Sequence, residues 1–450
     1  MRLWKRIGLF AILALLAYGV RYAWVSFPIM SGFTAKNMCS CVFVAGRPDS
    51  SVAAEELGDF PLSLANYSID RASGSVTATV LGMAKKKAIY RNGFGCTLIN
   101  EVSEEMLRKQ TAQTVLASLA DTIFQNIQPA PANVDVLRLQ AILEKHVNQT
   151  NKKSQHEARA VVVLYDGELL AEQYAPGFDK NSRMLGWSMA KSITSALVGL
   201  LVKQGKLDVD KPALVPEWAD PKDGRHAITL KNLLQQASGL NFEENYAKYS
   251  DATKMLFAKA DMGAYTASRP LKIAPGSQFY YSSGNSNILS RIIRQTVGDK
   301  NYHAFIYDSL FRKIGMYSAL VEPDASGTMV GSSYVFATAR DWAKFGLLYY
   351  NKGVANGQQL FSPGWVGQTV APFVTDTFQQ YGYQFWLNGM DPAMPTKRKF
   401  PAAPADMFYA GGYAGQNVFI IPSKKLVIVR LGFKKCDENE LLGKILQCVR

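Results

Sequence analysis

The chain has 450 residues, 48% of them hydrophobic and 19% charged, with a formal net charge of +14. That length holds a large core and one to three domains, and the balance is ordinary for a globular protein. Lysine and arginine form no dense tract with interleaved aromatics, only short pieces such as Lys85-Lys86-Lys87, which argues against a nucleic-acid partner.

Residues 1–30 open with Arg2, Lys5 and Arg6, continue through an apolar run at 7–20, and reach Arg21. This is the shape of an export signal and is short for a membrane span. Tyr22, Ala23, Trp24, Val25 and Phe27 prolong the apolar character, and no A-x-A cleavage site follows. A cleaved signal peptide and a retained membrane anchor both fit. Either places the bulk of the chain outside the cytoplasm, periplasmic or anchored in the inner membrane facing the periplasm. Membrane association through the N-terminus is the one macromolecular contact this implies.

The five cysteines, Cys39, Cys41, Cys96, Cys436 and Cys448, all lie toward the two ends. One or two disulfides stapling the ends of an exported protein are expected, with five reduced thiols as the alternative. Residues 35–125 read as a small separate region. Strands are expected at 42–46 and 75–83 and a helix at 101–120, with no catalytic constellation. Residues 126–136 are a Pro/Ala-rich linker.

The main region is 137–450. It begins with an amphipathic helix at 137–147 and a strand at 158–165. Asp166-Gly167 turns the chain into a second strand at 168–174. Then comes Gly186-Trp187-Ser188-Met189-Ala190-Lys191, running into residues apolar on nearly every side, as in a helix buried in a core. Ser188 and Lys191 are three apart and share a helix face. A serine hydroxyl attacks only when a base takes its proton, and lysine is that base only where its ammonium is disfavoured, as by burial. The start of a helix also offers backbone N–H groups to an oxyanion. The plain alternative is an N-cap serine and a solvated lysine, which fits poorly with an all-apolar continuation.

Further helices are expected at 230–236, 287–297, 302–314, 339–350 and 438–449, with mixed helical pieces at 240–270. Strands are expected at 383–386, 407–410, 418–421 and 425–431. Strands at both ends of the region with helices between predict an α+β fold around one antiparallel sheet. The four histidines, His146, His156, His226 and His303, fall in no metal-ligand spacing, and no metal or cofactor is expected.

Several pieces in this order resemble the serine β-lactamase and penicillin-binding-protein superfamily, in its class C-related branch of esterases and 6-aminohexanoate-dimer hydrolases. They are Ser188-Met-Ala-Lys191, Leu233-Leu-Gln-Gln-Ala-Ser-Gly-Leu240, Pro275-Gly276 leading to Tyr281-Ser-Ser283, and Tyr409-Ala-Gly-Gly-Tyr-Ala-Gly-Gln416. The resemblance covers about residues 135–435. It implies a central antiparallel sheet flanked by helices, with an all-helical subdomain. It also implies a serine hydrolase that forms an acyl-enzyme on Ser188 from a small-molecule or peptide-like ester or amide. Lys191 and Tyr281 would share proton transfer, and the N–H groups of Ser188 and Tyr413 would hold the oxyanion. Ser283, Trp386 and Gly412 would meet substrate. Two positions depart from the β-lactamase pattern: Ser283 replaces an asparagine and Ala410 a basic residue. Both point to the esterase or amidase side. The alternative is a catalytically silent protein that binds peptidoglycan peptides.

Overall fold

In the computed structural model, which describes residues 2–112, 124, 131–151 and 155–449, the first element outruns the apolar stretch that begins it. Helix α1 spans Arg2–Phe43, 42 residues with Pro28 inside. Its residues 4–22 are exposed. Its second half is buried, with Ala35, Met38 and Cys39 at 0% exposure. The strand expected at 42–46 is instead the end of this helix. Val44 and Ala45 donate to the Ser40 carbonyl, and Gly46 at φ +68° ends the turn, as a glycine past a helix end does. Two β-branched residues in a short apolar run do not distinguish a strand from a helix terminus.

The described residues form two units. One comprises Met1–Arg91, Cys96–Gln110 and Glu243–Ala260; the other comprises Asn92–Gly95, Thr111–Phe242 and Asp261–Arg450. In the first, the buried half of α1 packs on strands β1 (Ala65–Asp70), β2 (Ser75–Val80), β3 (Met83–Arg91) and β4 (Gly95–Leu98), paired in that order. Disulfide Cys39–Cys96 ties α1 to β4. It lies inside this unit and does not staple the two ends, as the sequence had suggested. Cys436 and Cys448 remain thiols. Helix Asp251–Ala258 belongs here too, with Phe257 edge-on to Phe33 and an ion pair joining Lys259 and Glu101. The helix expected at 101–120 is present as Glu104–Lys109; residues 113–120 of that expectation, and 126–130 of the linker, lie outside the described residues.

In the second unit, helix α2 (Val136–Asn148) is capped by Asp135, whose side chain accepts from Arg138 N. Leu139, Leu143 and Val147, four apart, form its buried stripe. The hairpin β5 (Ala158–Tyr165) and β6 (Glu168–Tyr174) follows, then helix α3 (Ala190–Lys203). After α4 (Leu230–Leu234), α5 (Ser283–Val297) and α6 (Ala339–Tyr350) come β7 (Trp386–Leu387), β8 (Phe408–Gly412), β9 (Gln416–Ile421) and β10 (Leu426–Gly432). Helix α7 (Glu438–Leu446) is the last of these.

The six strands make one antiparallel sheet in the order β7-β8-β9-β10-β5-β6. Both faces are covered. Val162, Leu164, Val427 and Val429 join a core with α3 and α6, while Val161, Val163, Leu426 and Ile428 join one with α2 and α7. Burial on both sides explains the apolar runs 161–164 in β5 and 426–429 in β10, where neither face meets water. The strand expected at 383–386 is confined to Trp386–Leu387. Gln384, at φ +57°, takes the chain out of extended geometry just before it.

Candidate active site

Residues Met184–Leu185 pair with Phe336 and Ala337, and Gly186 N donates to Val335 O at 2.8 Å. Gly186 is packed so closely that a Cβ there would lie 2.3 Å from the Trp342 ring. Trp187 follows at φ +48°, an uncommon conformation for a bulky side chain. A 3-10 turn over Trp187–Met189 then leads into α3. This bend leaves Ser188 partly exposed while Lys191, one turn on, is 1% exposed.

The Lys191 amine is held on three sides. Its Nζ lies 3.1 Å from Ser188 Oγ and 3.0 Å from Ser283 Oγ, and donates to the Ser332 carbonyl at 3.0 Å. It stands 4.9 Å from the centroid of the Tyr281 ring, within cation–π range. The structure therefore brings Ser188, Lys191 and Tyr281 together from positions up to 93 residues apart in sequence (281 − 188 = 93). Ser283, expected to meet substrate, is 0% exposed and sits against the lysine instead. As the first residue of α5, it is turned inward by the helix it begins.

Trp386 stacks on Tyr281 with centroids 5.2 Å apart and planes at 22°, and Tyr381 meets Tyr281 edge-on at 5.9 Å. Trp386 thus backs the phenol. Below it, Tyr409 stacks on the indole, and burial pushes the Tyr409 phenol pKa up, so that hydroxyl stays protonated.

Gly412 ends β8 against the turn before the nucleophile: a Cβ there would come within 2.2 Å of the Gly186 carbonyl. The close approach brings the 412–413 peptide beside the start of the Ser188 turn. The Tyr413 side chain is 69% exposed and edge-on to Trp187 at 5.7 Å. Behind it, Ala414 and Gly415 have φ of +62° and +76°. Arg430, fully buried on β10, donates to the carbonyls of both at 2.9 Å and also to those of Glu157 and Lys434. Burial lowers the Arg430 pKa from the usual guanidinium value, but four carbonyl contacts suit its charged form.

A pair of glutamines not singled out from the sequence holds the Tyr281 loop. Gln236 O accepts from Tyr280 N at 2.8 Å, and Gln236 Oε1 accepts from Ser282 N at 3.0 Å and Asn285 Nδ2 at 2.9 Å. The residues on either side of Tyr281 are thus fastened to one side chain and its own backbone. Gln236 Nε2 donates to Gln384 Oε1 at 3.3 Å, and Gln384 Nε2 donates to Leu233 O and Leu234 O. Ser192 Oγ, beside Lys191 on α3, donates to Gln384 O at 2.7 Å. Gln236 lies in the Leu233–Leu240 motif, so the motif marked its position but not its role.

A cavity of about 720 Å³ opens elsewhere in the same unit, lined by Val366, Leu387, Arg398, Met407 and Phe408 among others, and no residue of the Ser188 cluster borders it. Among the described residues, no group of three or more His, Cys, Asp or Glu could hold a metal ion.

The Beta-lactamase family profile matches residues 143–432. A 6-aminohexanoate-dimer hydrolase of Paenarthrobacter ureafaciens is 26% identical over 328 residues, covering 67% of this chain and 79% of its own length. Among solved structures, a family VIII carboxylesterase superposes with a TM-score of 0.55 at 15% identity, over 72% of this chain and 99% of its own. A penicillin-binding protein homologue of Caulobacter crescentus does so at 0.53 and 16%, over 71% and 98%. These two likenesses concern the fold.

Proposed function

Since this chain belongs to the beta-lactamase family, we propose that it is a serine hydrolase that opens an ester or amide bond through an acyl-enzyme on Ser188. The observation that carries this reading is a buried lysine amine 3.1 Å from a partly exposed serine hydroxyl, with a tyrosine ring 4.9 Å away. Lys191 Nζ takes the Ser188 proton as Oγ adds to the substrate carbonyl. The backbone N–H groups of Ser188 and Tyr413 face the developing oxyanion, a contribution of about 3–4 kcal/mol when such a donor is removed elsewhere. Tyr281 passes a proton to the leaving alcohol or amine as the carbonyl re-forms. Water then attacks the acyl-enzyme, the same groups take its proton, and Ser188 leaves with a hydrogen restored.

Ester or simple amide substrates are favoured over β-lactams. Ala410 is fully buried and places no cation in the cleft, and Ser283 is committed to the lysine. The relative named as a 6-aminohexanoate-dimer hydrolase supports the same side.

Helix α1 is read as a membrane anchor, its basic end inside and the enzyme outside the cytoplasm. Residues Trp4–Phe43 are long and apolar enough to cross a bilayer. The unbroken course of α1 into a buried half, and the Cys39–Cys96 bond typical of an oxidising compartment, support it.

The hydrolase reading is tested by turnover of short-chain p-nitrophenyl esters. Ser188→Ala should cost at least ~10³-fold, as loss of an activated nucleophile does. Equal turnover by both proteins would contradict it. Absence of any Ser188-dependent turnover would leave the fold as a peptide binder.

A further inference from the structure

The N-terminal unit carries exposed apolar side chains at one end of its sheet, and the Ser188 reaction makes no use of them. Phe60 is 81% exposed, Leu81 61%, Met83 54% and Leu64 37%. The strand register places them together. Ala65 pairs with Val80, so Leu64 and Leu81 continue side by side past the paired ends of β1 and β2. Val80 also pairs with Met83, so Leu81 and Gly82 form the hairpin tip. Phe60 lies within a tight turn in which Ser63 N donates to Asp59 O and Leu64 N to Pro61 O, which keeps it near Leu64.

The direction of α1 fixes which end this is. Ser31 Oγ donates to the Ala84 carbonyl, and Phe43 stacks on Tyr90 at 5.7 Å, so α1 and β3 run the same way. The tip before Ala84 therefore lies toward the N-terminal, exposed half of α1. That half leaves the unit with Trp24 at 81% and Tyr22 at 48% exposure. From Ile7 to Phe27 is about 21 residues, or ~31 Å of helix, close to the hydrocarbon thickness of a bilayer. Arg21 lies under two turns inside that end, within reach of the interface for a long side chain.

We infer that this end of the N-terminal unit seats on a lipid bilayer, with Phe60, Leu64, Leu81 and Met83 entering the interface as a collar beside the emerging helix. The inference rests on the anchor reading of α1. The composition fits that surface. Trp24 and Tyr22 are the side chains that settle at headgroup level. Lys85, exposed two residues beyond Met83, suits lipid phosphates. Four apolar groups grouped around a single apolar helix have a use at a membrane that they lack in water.

The test uses the full chain reconstituted in phosphatidylcholine/phosphatidylglycerol vesicles, with Cys436→Ser to remove a partly exposed thiol. Nitroxides are attached singly at Phe60→Cys, Leu81→Cys and Met83→Cys. References are Leu15→Cys within the helix and Asp70→Cys at the far end of the β1–β2 hairpin. The ratio of oxygen to nickel-chelate accessibility should be several-fold higher at 60, 81 and 83 than at 70. Ratios equal to that at 70, with position 15 in lipid, would overturn the collar and leave the anchor. Labels shielded from both reagents would also overturn it, since protein would then cover this end. An aqueous signal at position 15 would sink the anchor reading, and the collar with it. Three separate exposed positions keep the result independent of the folding of any one variant.

Discussion

The Tyr281 ring lies 4.9 Å from the Lys191 amine in a loop that a glutamine fixes. Tyr281 has no element of its own; it lies in the loop before α5, and Gln236 fastens the residues on both sides of it. Replacing Gln236 with methionine keeps the volume and removes three side-chain hydrogen bonds. We expect kcat to fall ~10–100-fold with KM little changed, less than the ~10²–10⁴-fold set by outright loss of a proton-transfer group, since the phenol is displaced and not removed. The same change made on Tyr281→Phe should cost almost nothing further, because the glutamine acts through the phenol. Rates are counted per serine labelled by a fluorophosphonate, which corrects for unfolded protein. Losses that simply multiply in the double variant would make Gln236 a general support. At this scale the closeness of Ser188 and Lys191 follows from their spacing, and that of Tyr281 was to be expected only through the family resemblance. The Gln236–Gln384 contact was not, because it joins residues 148 apart in sequence that no local pattern relates.

Two elements carry consequences beyond single contacts. Strand β10 delivers Arg430 under the turn that holds Tyr413, and two residues of that turn are left-handed. Arg430→Met should lower both the melting temperature and the turnover per labelled serine, the latter by ~10-fold or more if the oxyanion donor shifts. It leaves four carbonyls without their buried donor. An unchanged kcat in a folded variant would separate Arg430 from the oxyanion turn.

Helix α2 carries His146, whose Nε2 is buried without a hydrogen-bond partner. Burial first, then the nearby charges of Arg430 and Lys444, lower its pKa from 6.5 to about 4. The folded state thus resists a proton that the unfolded chain accepts. Stability from this histidine is fully present above pH 6.5 and is lost as pH falls toward 4, on the order of 1–3 kcal/mol. Denaturant melts at pH 7 and pH 4.5 should show wild type losing that much relative to His146→Gln. A constant difference between the two proteins would refute the assignment. The amphipathic stripe of α2 was legible in sequence, as was the β5–β6 hairpin with its Asp166-Gly167 turn. The end of α1 was misread because its last apolar turn is too short to show a helical period.

For the molecule as a whole, the sequence pattern predicted one antiparallel sheet from distant strands, and the order β7-β8-β9-β10-β5-β6 bears that out. Short continuous apolar runs marked β5 and β10 because both of their faces are buried. Membership of the units was less legible. Glu243–Ala260 groups with the N-terminal residues through contacts such as Phe33 with Phe257, which leave no mark in local composition. The proposed chemistry turns on Ser188 as the nucleophile. The direct measurement is mass spectrometry of peptides from protein treated with a fluorophosphonate. A single adduct is expected on the peptide containing Ser188, absent from Ser188→Ala and formed ~100-fold or more slowly in Lys191→Ala, as loss of a general base does. Equal labelling of wild type and Ser188→Ala, or an adduct on another serine, would contradict it.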